Sequence, residues 1–148
     1  MAASYPAEVS KALVRCGIPM LMPLQYNPEE PVDPEEWLAL DESERIESVR
    51  QYHRRRKIRL PNERLHAVMH VIIENQVALG KAFPAESVLS RLMGEGLDRH
   101  EAVHAIGSVL AERLLTALKG GGGADDLGAD YVDGIERLTA ESWRKQGS

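Results

Sequence analysis

Apolar residues recur at helical spacing through the middle of the chain. Between residues 62 and 79 they cover nearly the whole circumference of a helix, which is typical of a buried helix at the centre of a domain. Further apolar runs at helical spacing cover residues 41–56, 84–96 and 98–119. No segment alternates between polar and apolar residues as a half-buried strand does. The pattern therefore predicts an all-α protein, a bundle of four or five helices.

Capping residues mark where these helices begin. Asp41, Asn62 and Asp98 each precede an apolar run, and their side chains can accept hydrogen bonds from the free N–H groups of a first turn. Glu44 and Glu101 follow the two aspartates by three residues, the spacing of a capping box. The beginnings of three helices are thus predicted to within a residue or two.

The two ends of the chain differ from the helical middle. Prolines at positions 19, 23, 28, 31 and 34 exclude a helix there and favour extended chain. We predict an extended, proline-rich N-terminal arm over residues 1–33, which packs on its own domain or joins two copies as a homodimer. Residues 34–119 form the helical core domain. In residues 120–148, four glycines make a flexible linker to one loosely docked C-terminal helix at 129–145.

Composition limits the classes of partner. The net charge of −5 argues against a general nucleic-acid binder. The basic stretch at 54–59 leaves nucleic acid open as an alternative partner, although its position at a helix end beside acidic residues favours a solvated surface. No apolar run reaches the roughly 20 residues that span a bilayer. Cys16 is the only cysteine, which fits a cytoplasmic protein.

Four of the five histidines form two pairs with i, i+4 spacing, His66 with His70 and His100 with His104. Both members of such a pair face the same side of a helix, about 6 Å apart. If helices joined by short loops alternate in direction, the two helices that carry the pairs run parallel, and the pairs lie at the same end. Neutral imidazoles bind transition metals, so we predict a metal site between these helices, with zinc or iron as the expected ion.

Two glutamates accompany the histidines. Glu74 continues the series His66, His70, and is a candidate ligand or a group that orients one. Glu101 lies within His100-Glu101-x-x-His104, a pattern in which the glutamate acts as a base on metal-bound water. Glu101 is therefore the candidate catalytic residue, although it serves equally well as a helix cap. A peptidase is not favoured, since no strand is predicted that could hold an extended peptide.

Two other interpretations use the same residues differently. Glu63-x-x-His66 and Glu101-x-x-His104 match the Glu-x-x-His pairs of ferritin-like di-iron bundles, but a fourth carboxylate is not evident. Alternatively, the protein is a non-catalytic interaction or regulatory module, and its histidines are core residues bonded to backbone carbonyls. The favoured hypothesis is a small cytosolic helical protein with a histidine-rich metal site and an unassigned reaction.

Three short motifs are similar to those of a bacterial family of small helical proteins, a domain of unknown function. The motifs are Leu65-His66-Ala67-Val68-Met69-His70, then Glu74-Asn75-Gln76, and then His100-Glu101-Ala102-Val103-His104. The resemblance covers residues 35–118. It implies a helical fold and assigns no reaction.

Overall fold

The computed structural model describes residues 25–120 and 124–147, without the side chains of 124–126. It contains seven α-helices within these ranges: α1 Pro34–Ala39, α2 Glu42–Arg55, α3 Glu63–Ala78, α4 Ala85–Gly94, α5 Arg99–Leu118, α6 Ala124–Arg137 and α7 Ala140–Gln146. A short 3-10 helix, Gly80–Ala82, connects α3 to α4. No strand occurs in the described residues, so the all-α class is confirmed. The helices outnumber the four or five expected, because α1 is a separate short helix and the C-terminal segment divides in two.

The predicted caps begin their helices. Asp41 and Asp98 both make complete capping boxes, in which each aspartate accepts a hydrogen bond of 2.8 Å from the backbone N–H of Glu44 or Glu101. Asn62 accepts one of 3.0 Å from the first turn of α3. Local chemistry therefore fixes the beginnings of the helices that carry the histidines.

The C-terminal segment forms two helices, so the single helix predicted over 129–145 is wrong. Thr139 interrupts it with an extended backbone (φ −128°, ψ 157°), and its hydroxyl caps α7 by accepting the N–H of Ser142 at 3.0 Å. The predicted contacts Tyr131, Ile135 and Leu138 are buried in the core. How tightly this segment docks stays a prediction, as do the domain boundaries.

Only the end of the N-terminal arm belongs to the described residues, since residues 1–24 lie outside them. Tyr26 is 2% exposed and packs against Trp37 and Tyr52 of its own chain. This part of the arm therefore contacts its own domain, and nothing in it supports the predicted homodimer.

The central helix α3 joins two clusters of apolar side chains. Ala67 and Val71 pack with the N-terminal cluster, whose other buried members are Tyr26, Trp37, Ile46, Val49 and Tyr52. Ile73 packs with a larger cluster built from α4, α5 and the C-terminal helices. The two clusters pack on different sides of α3, and each side is apolar. Apolar residues therefore surround the axis of this helix, as the sequence indicated. None of the described helices combines the length and the apolar character that a bilayer span requires.

The relative direction of α3 and α5 differs from the prediction. His66 lies beside His104, whereas Glu74, two turns further along α3, pairs with Arg99 at the beginning of α5. Contacts that advance along one helix and retreat along the other are those of crossing or antiparallel helices. The parallel arrangement expected for α3 and α5 is therefore wrong. It assumed that α3, α4 and α5 lie side by side along one common direction. The two histidine pairs still meet, because α3 and α5 contact each other at the turns that carry them.

Candidate metal centre

All five histidines of the chain lie in one cluster inside the helical domain. His53 comes from α2, His66 and His70 from α3, and His100 and His104 from α5. Neighbouring ring centroids are 4.3 Å apart for His100 and His104, 4.7 Å for His53 and His66, and 4.9 Å for His70 and His104. The clustering predicted for four histidines is observed, and it includes the fifth.

Four of these rings lie close enough to hold one metal ion. His53, His66, His70 and His104 each offer a ring nitrogen, and these four nitrogens lie within 4.8 Å of one another. The Nε2 atom of His70 is 3.1 Å from Nε2 of His66 and 3.0 Å from Nε2 of His104. Zinc–nitrogen bonds of about 2.0–2.1 Å with tetrahedral angles place two ligand nitrogens about 3.3 Å apart. Both separations from Nε2 of His70 are therefore already near the spacing that coordination requires.

His53 is the member of this group that the i, i+4 spacing of the histidines did not identify. It is 2% exposed, and its Nδ1 lies 2.9 Å from the backbone carbonyl of Val49, one turn earlier in α2. Since a carbonyl accepts, Nδ1 carries the hydrogen, and Nε2 keeps its lone pair. That Nε2 atom is buried and has no hydrogen-bond partner among the described residues. The sequence signal was its position on the same face as Ile46 and Val49, which is the buried face of α2.

His100 lies next to the four-nitrogen group and is not part of it. Its Nε2 is also buried and without a hydrogen-bond partner in the described part of the chain. Its Nδ1 faces a carboxylate oxygen of Glu29 at 3.9 Å, and 17% of its side chain is exposed. His100 therefore stands between the buried rings and solvent.

Burial and mutual repulsion keep these imidazoles neutral. Removal from water is the largest cause that lowers the pKa of His66, His100 and His104 to about 4, and neighbouring histidines lower each of these values further. The pKa of His70 falls furthest, because burial acts together with four surrounding histidines, and burial also lowers that of His53. At neutral pH the cluster presents uncharged nitrogens, which is the protonation state that binds a cation.

Glu74, a candidate ligand from the sequence, lies in a buried ion pair beyond the four-nitrogen group. Its two carboxylate oxygens accept hydrogen bonds of 2.8 and 3.2 Å from Arg99, which also donates to the Pro28 carbonyl at 2.9 Å. Both side chains of the pair are almost completely buried. Burial raises the pKa of the Glu74 carboxyl, and Arg99 opposes this by stabilising the carboxylate. The pair therefore places two opposite charges, which neutralise each other, beside the histidine cluster.

Glu101, the candidate catalytic residue, is exposed at the beginning of α5. Its carboxylate accepts the backbone N–H of Asp98 at 3.4 Å and completes the capping box. This contact gives Glu101 the structural role that the sequence offered as its alternative. A catalytic role for it stays a prediction.

The basic stretch behind the nucleic-acid alternative begins inside a network of ion pairs. Arg54 contacts Glu63 at 2.8 Å and Glu47 at 3.6 Å, and Arg50 contacts the same two carboxylates at 3.3 and 3.4 Å. These acids compensate the first charges of the stretch. The residues that follow, 55–59, are exposed.

Comparison with known proteins gives no match to a family model, a curated protein or a solved structure. The resemblance to a bacterial family therefore stays a prediction. The functional argument depends on the geometry and chemistry of the histidine cluster itself.

Proposed function

We propose that this protein binds one transition-metal ion through the imidazoles of His53, His66, His70 and His104. The observation that carries the proposal is the convergence of four ring nitrogens within 4.8 Å. We assign Nε2 as the ligand atom of His66, His70 and His104, because these atoms already contact one another, and Nε2 as that of His53, because its Nδ1 bonds to the Val49 carbonyl. A tetrahedral ion requires ligand nitrogens about 3.3 Å apart. A nitrogen at the outer limit of the group would therefore move inward on binding.

The alternative of ordinary core histidines fits this cluster poorly. A core histidine is expected to bond both ring nitrogens, because buried polar atoms without partners are costly. Nε2 of His53 and of His100 have no such partner in the described residues. The contacts of Nε2 of His70 are other imidazole nitrogens, and at most one of each pair can donate. A cation bound by the four-nitrogen group would satisfy the lone pairs of His53 and His70 together.

The ligand set indicates which ions fit. Neutral imidazoles favour zinc, iron, nickel and copper over magnesium and calcium, which require oxygen ligands. Zinc is the reference ion for the proposal, with iron as the second choice. Four imidazoles would fill the coordination sphere of a tetrahedral zinc ion, which is typical of a structural site. His100, 17% exposed, and Glu29, 41% exposed, lie beside the centre.

A zinc titration of protein without an affinity tag tests the proposal. All five histidines belong to the cluster, so the untagged chain has no other imidazole to bind the ion. Chelator-treated protein competing with a chromophoric zinc indicator is expected to take up one equivalent. His53→Ala and His104→Ala should each weaken zinc binding by at least about 100-fold, the upper end of effects seen even for groups outside the ligand shell.

Leu138→Ala is the matched control, because it also creates a cavity at a buried position but lies in the C-terminal part of the core. It should bind zinc like the original protein. Uptake of less than about a tenth of an equivalent by the unchanged chain would overturn the proposal. Equal losses of zinc affinity in the histidine variants and in Leu138→Ala would show that the substitutions act through the stability of the fold and not through the ligands.

A further inference from the structure

A buried tyrosine connects the histidine cluster to the Glu74–Arg99 ion pair. The Tyr26 hydroxyl lies 3.1 Å from Nδ1 of His70, and the Glu74 carboxylate is a second group that acts on the same hydroxyl. Tyr26 is 2% exposed, and its ring packs edge-on against His70 with centroids 5.9 Å apart. The four side chains form a continuous series from the centre of the cluster to the beginning of α5.

The ion pair determines the direction of these hydrogen bonds. Both oxygens of Glu74 accept hydrogens from Arg99, so the carboxyl group is ionised and can only accept. An ionised carboxylate is a stronger acceptor than a neutral imidazole, so we expect the Tyr26 hydroxyl to turn its hydrogen towards Glu74 and the lone pairs of its oxygen towards the ring nitrogen. The neighbouring ring nitrogen, Nδ1 of His70, is therefore the atom that carries a hydrogen. Arg99 cannot turn away easily, because it also bonds to the Pro28 carbonyl.

We infer that Tyr26 and Glu74 hold His70 as the Nδ1–H tautomer, so that the lone pair of its Nε2 faces the nitrogens of His66 and His104. The inference rests on the proposed function only where the ion is concerned, since the tautomer also exists without metal. Outer groups that bond to a ligand histidine fix its orientation and raise its basicity, and their loss typically costs about 10–100-fold in metal affinity. Tyr26 is thus a positioning residue. It also gives the end of the N-terminal arm a role in the site.

Nitrogen-15 NMR of the histidine rings tests the tautomer directly. In both the chelator-treated and the zinc-loaded protein, His70 should show a hydrogen on Nδ1. Tyr26→Phe should remove that preference in the metal-free protein and weaken zinc binding by about 10–100-fold at unchanged stoichiometry.

Tyr52→Phe is the control for Tyr26→Phe. Tyr52 belongs to the same aromatic cluster, but no hydrogen bond joins its hydroxyl to a histidine among the residues that the structure describes. It should keep both the tautomer and the affinity. Thermal unfolding of both variants shows whether a difference in affinity follows stability alone.

The outcomes separate this inference from the proposed function. A hydrogen on Nε2 of His70 in the metal-free protein, or zinc bound through Nδ1, overturns the inference even if the protein binds zinc tightly. Equal zinc affinity in Tyr26→Phe and Tyr52→Phe also overturns it. An unchanged chain that binds no zinc but shows Nδ1–H on His70 refutes the proposed function and leaves the tautomer assignment standing.

Discussion

The Nε2 atoms of His70 and His104 lie 3.0 Å apart, although 34 positions separate the two residues in the chain. Among the described residues no backbone carbonyl bonds to either nitrogen, and Nε2 of His70 also lies 3.1 Å from Nε2 of His66. A contact between two such lone-pair sites in a buried environment is costly unless a hydrogen or a cation lies between them.

Zinc should stabilise the fold if the nitrogens bind it. A ligand that binds only the native state adds about 2.7 kcal/mol to the free energy of unfolding at a free concentration 100 times its dissociation constant. Urea unfolding with and without zinc should show this increase for the original chain and for Leu138→Ala. His104→Ala, which lacks one of the central nitrogens, should show almost none. A similar increase in all three proteins would mean that zinc binds elsewhere.

The metal-free protein should lose stability as the pH falls through the range where free histidines titrate. The pKa of His66, His100 and His104 is about 4 in the folded chain, mainly because burial disfavours the charged ring, against about 6.5 in the unfolded chain. Between these values the unfolded state binds more protons, so the free energy of unfolding rises with pH. The loss of stability is absent above about pH 6.5 and complete below about pH 4.

Urea unfolding of chelator-treated protein at several pH values measures this dependence. Its slope gives the number of protons taken up on unfolding. His66→Ala should lower that number by almost one at pH 5.5. A free energy of unfolding that is equal at pH 7 and pH 5 would show that the rings are not buried as described.

Removing one partner of the Glu74–Arg99 pair should lower the free energy of unfolding more than removing both charges. Glu74→Met leaves Arg99, which is 3% exposed, without its counter-charge, and the loss of one partner of a buried pair costs about 3–5 kcal/mol. The double variant Glu74→Met, Arg99→Met should lose much less than the sum of the single variants. Urea unfolding of all four metal-free proteins completes the cycle. Strictly additive losses would show that the two side chains do not interact.

Glu101→Ala tests whether Glu101 caps the helix or binds the metal ion. The loss of a capping interaction should cost about 0.3–1.5 kcal/mol of folding stability, and zinc affinity should stay unchanged because the carboxylate bonds to the backbone of Asp98. Asp98→Ala, which removes the other half of the same capping box, is the comparison and should behave alike. A Glu101→Ala protein that folds normally but binds zinc far more weakly would place the carboxylate at the ion.

Short-range chemistry explains why much of the helical architecture follows from the sequence. Asp41, Asn62 and Asp98 cap their helices as expected, because a cap depends on residues only two or three positions away. The same reasoning did not extend to Thr139, whose capping box with Ser142 divides the C-terminal segment. A threonine followed by a serine three positions later is a weaker signal than an aspartate followed by a glutamate.

The candidate site depends on contacts that local patterns specify only in part. The i, i+4 spacing identified His66, His70, His100 and His104, since each pair occupies one face of its helix. His53 has no partner at that spacing, and only the packing of α2 against α3 brings it to the others. The crossing of α3 and α5 and the contact of Tyr26 with His70 are likewise properties of tertiary packing.

X-ray absorption at the zinc edge of the zinc-loaded, untagged protein identifies the atoms bound to the ion. We expect one zinc per chain, surrounded by about four nitrogen ligands of imidazole type at about 2.0–2.1 Å, and a loss of imidazole scattering in His53→Ala. A spectrum dominated by oxygen ligands, or one that is the same in His53→Ala, would contradict a metal centre built from these histidines.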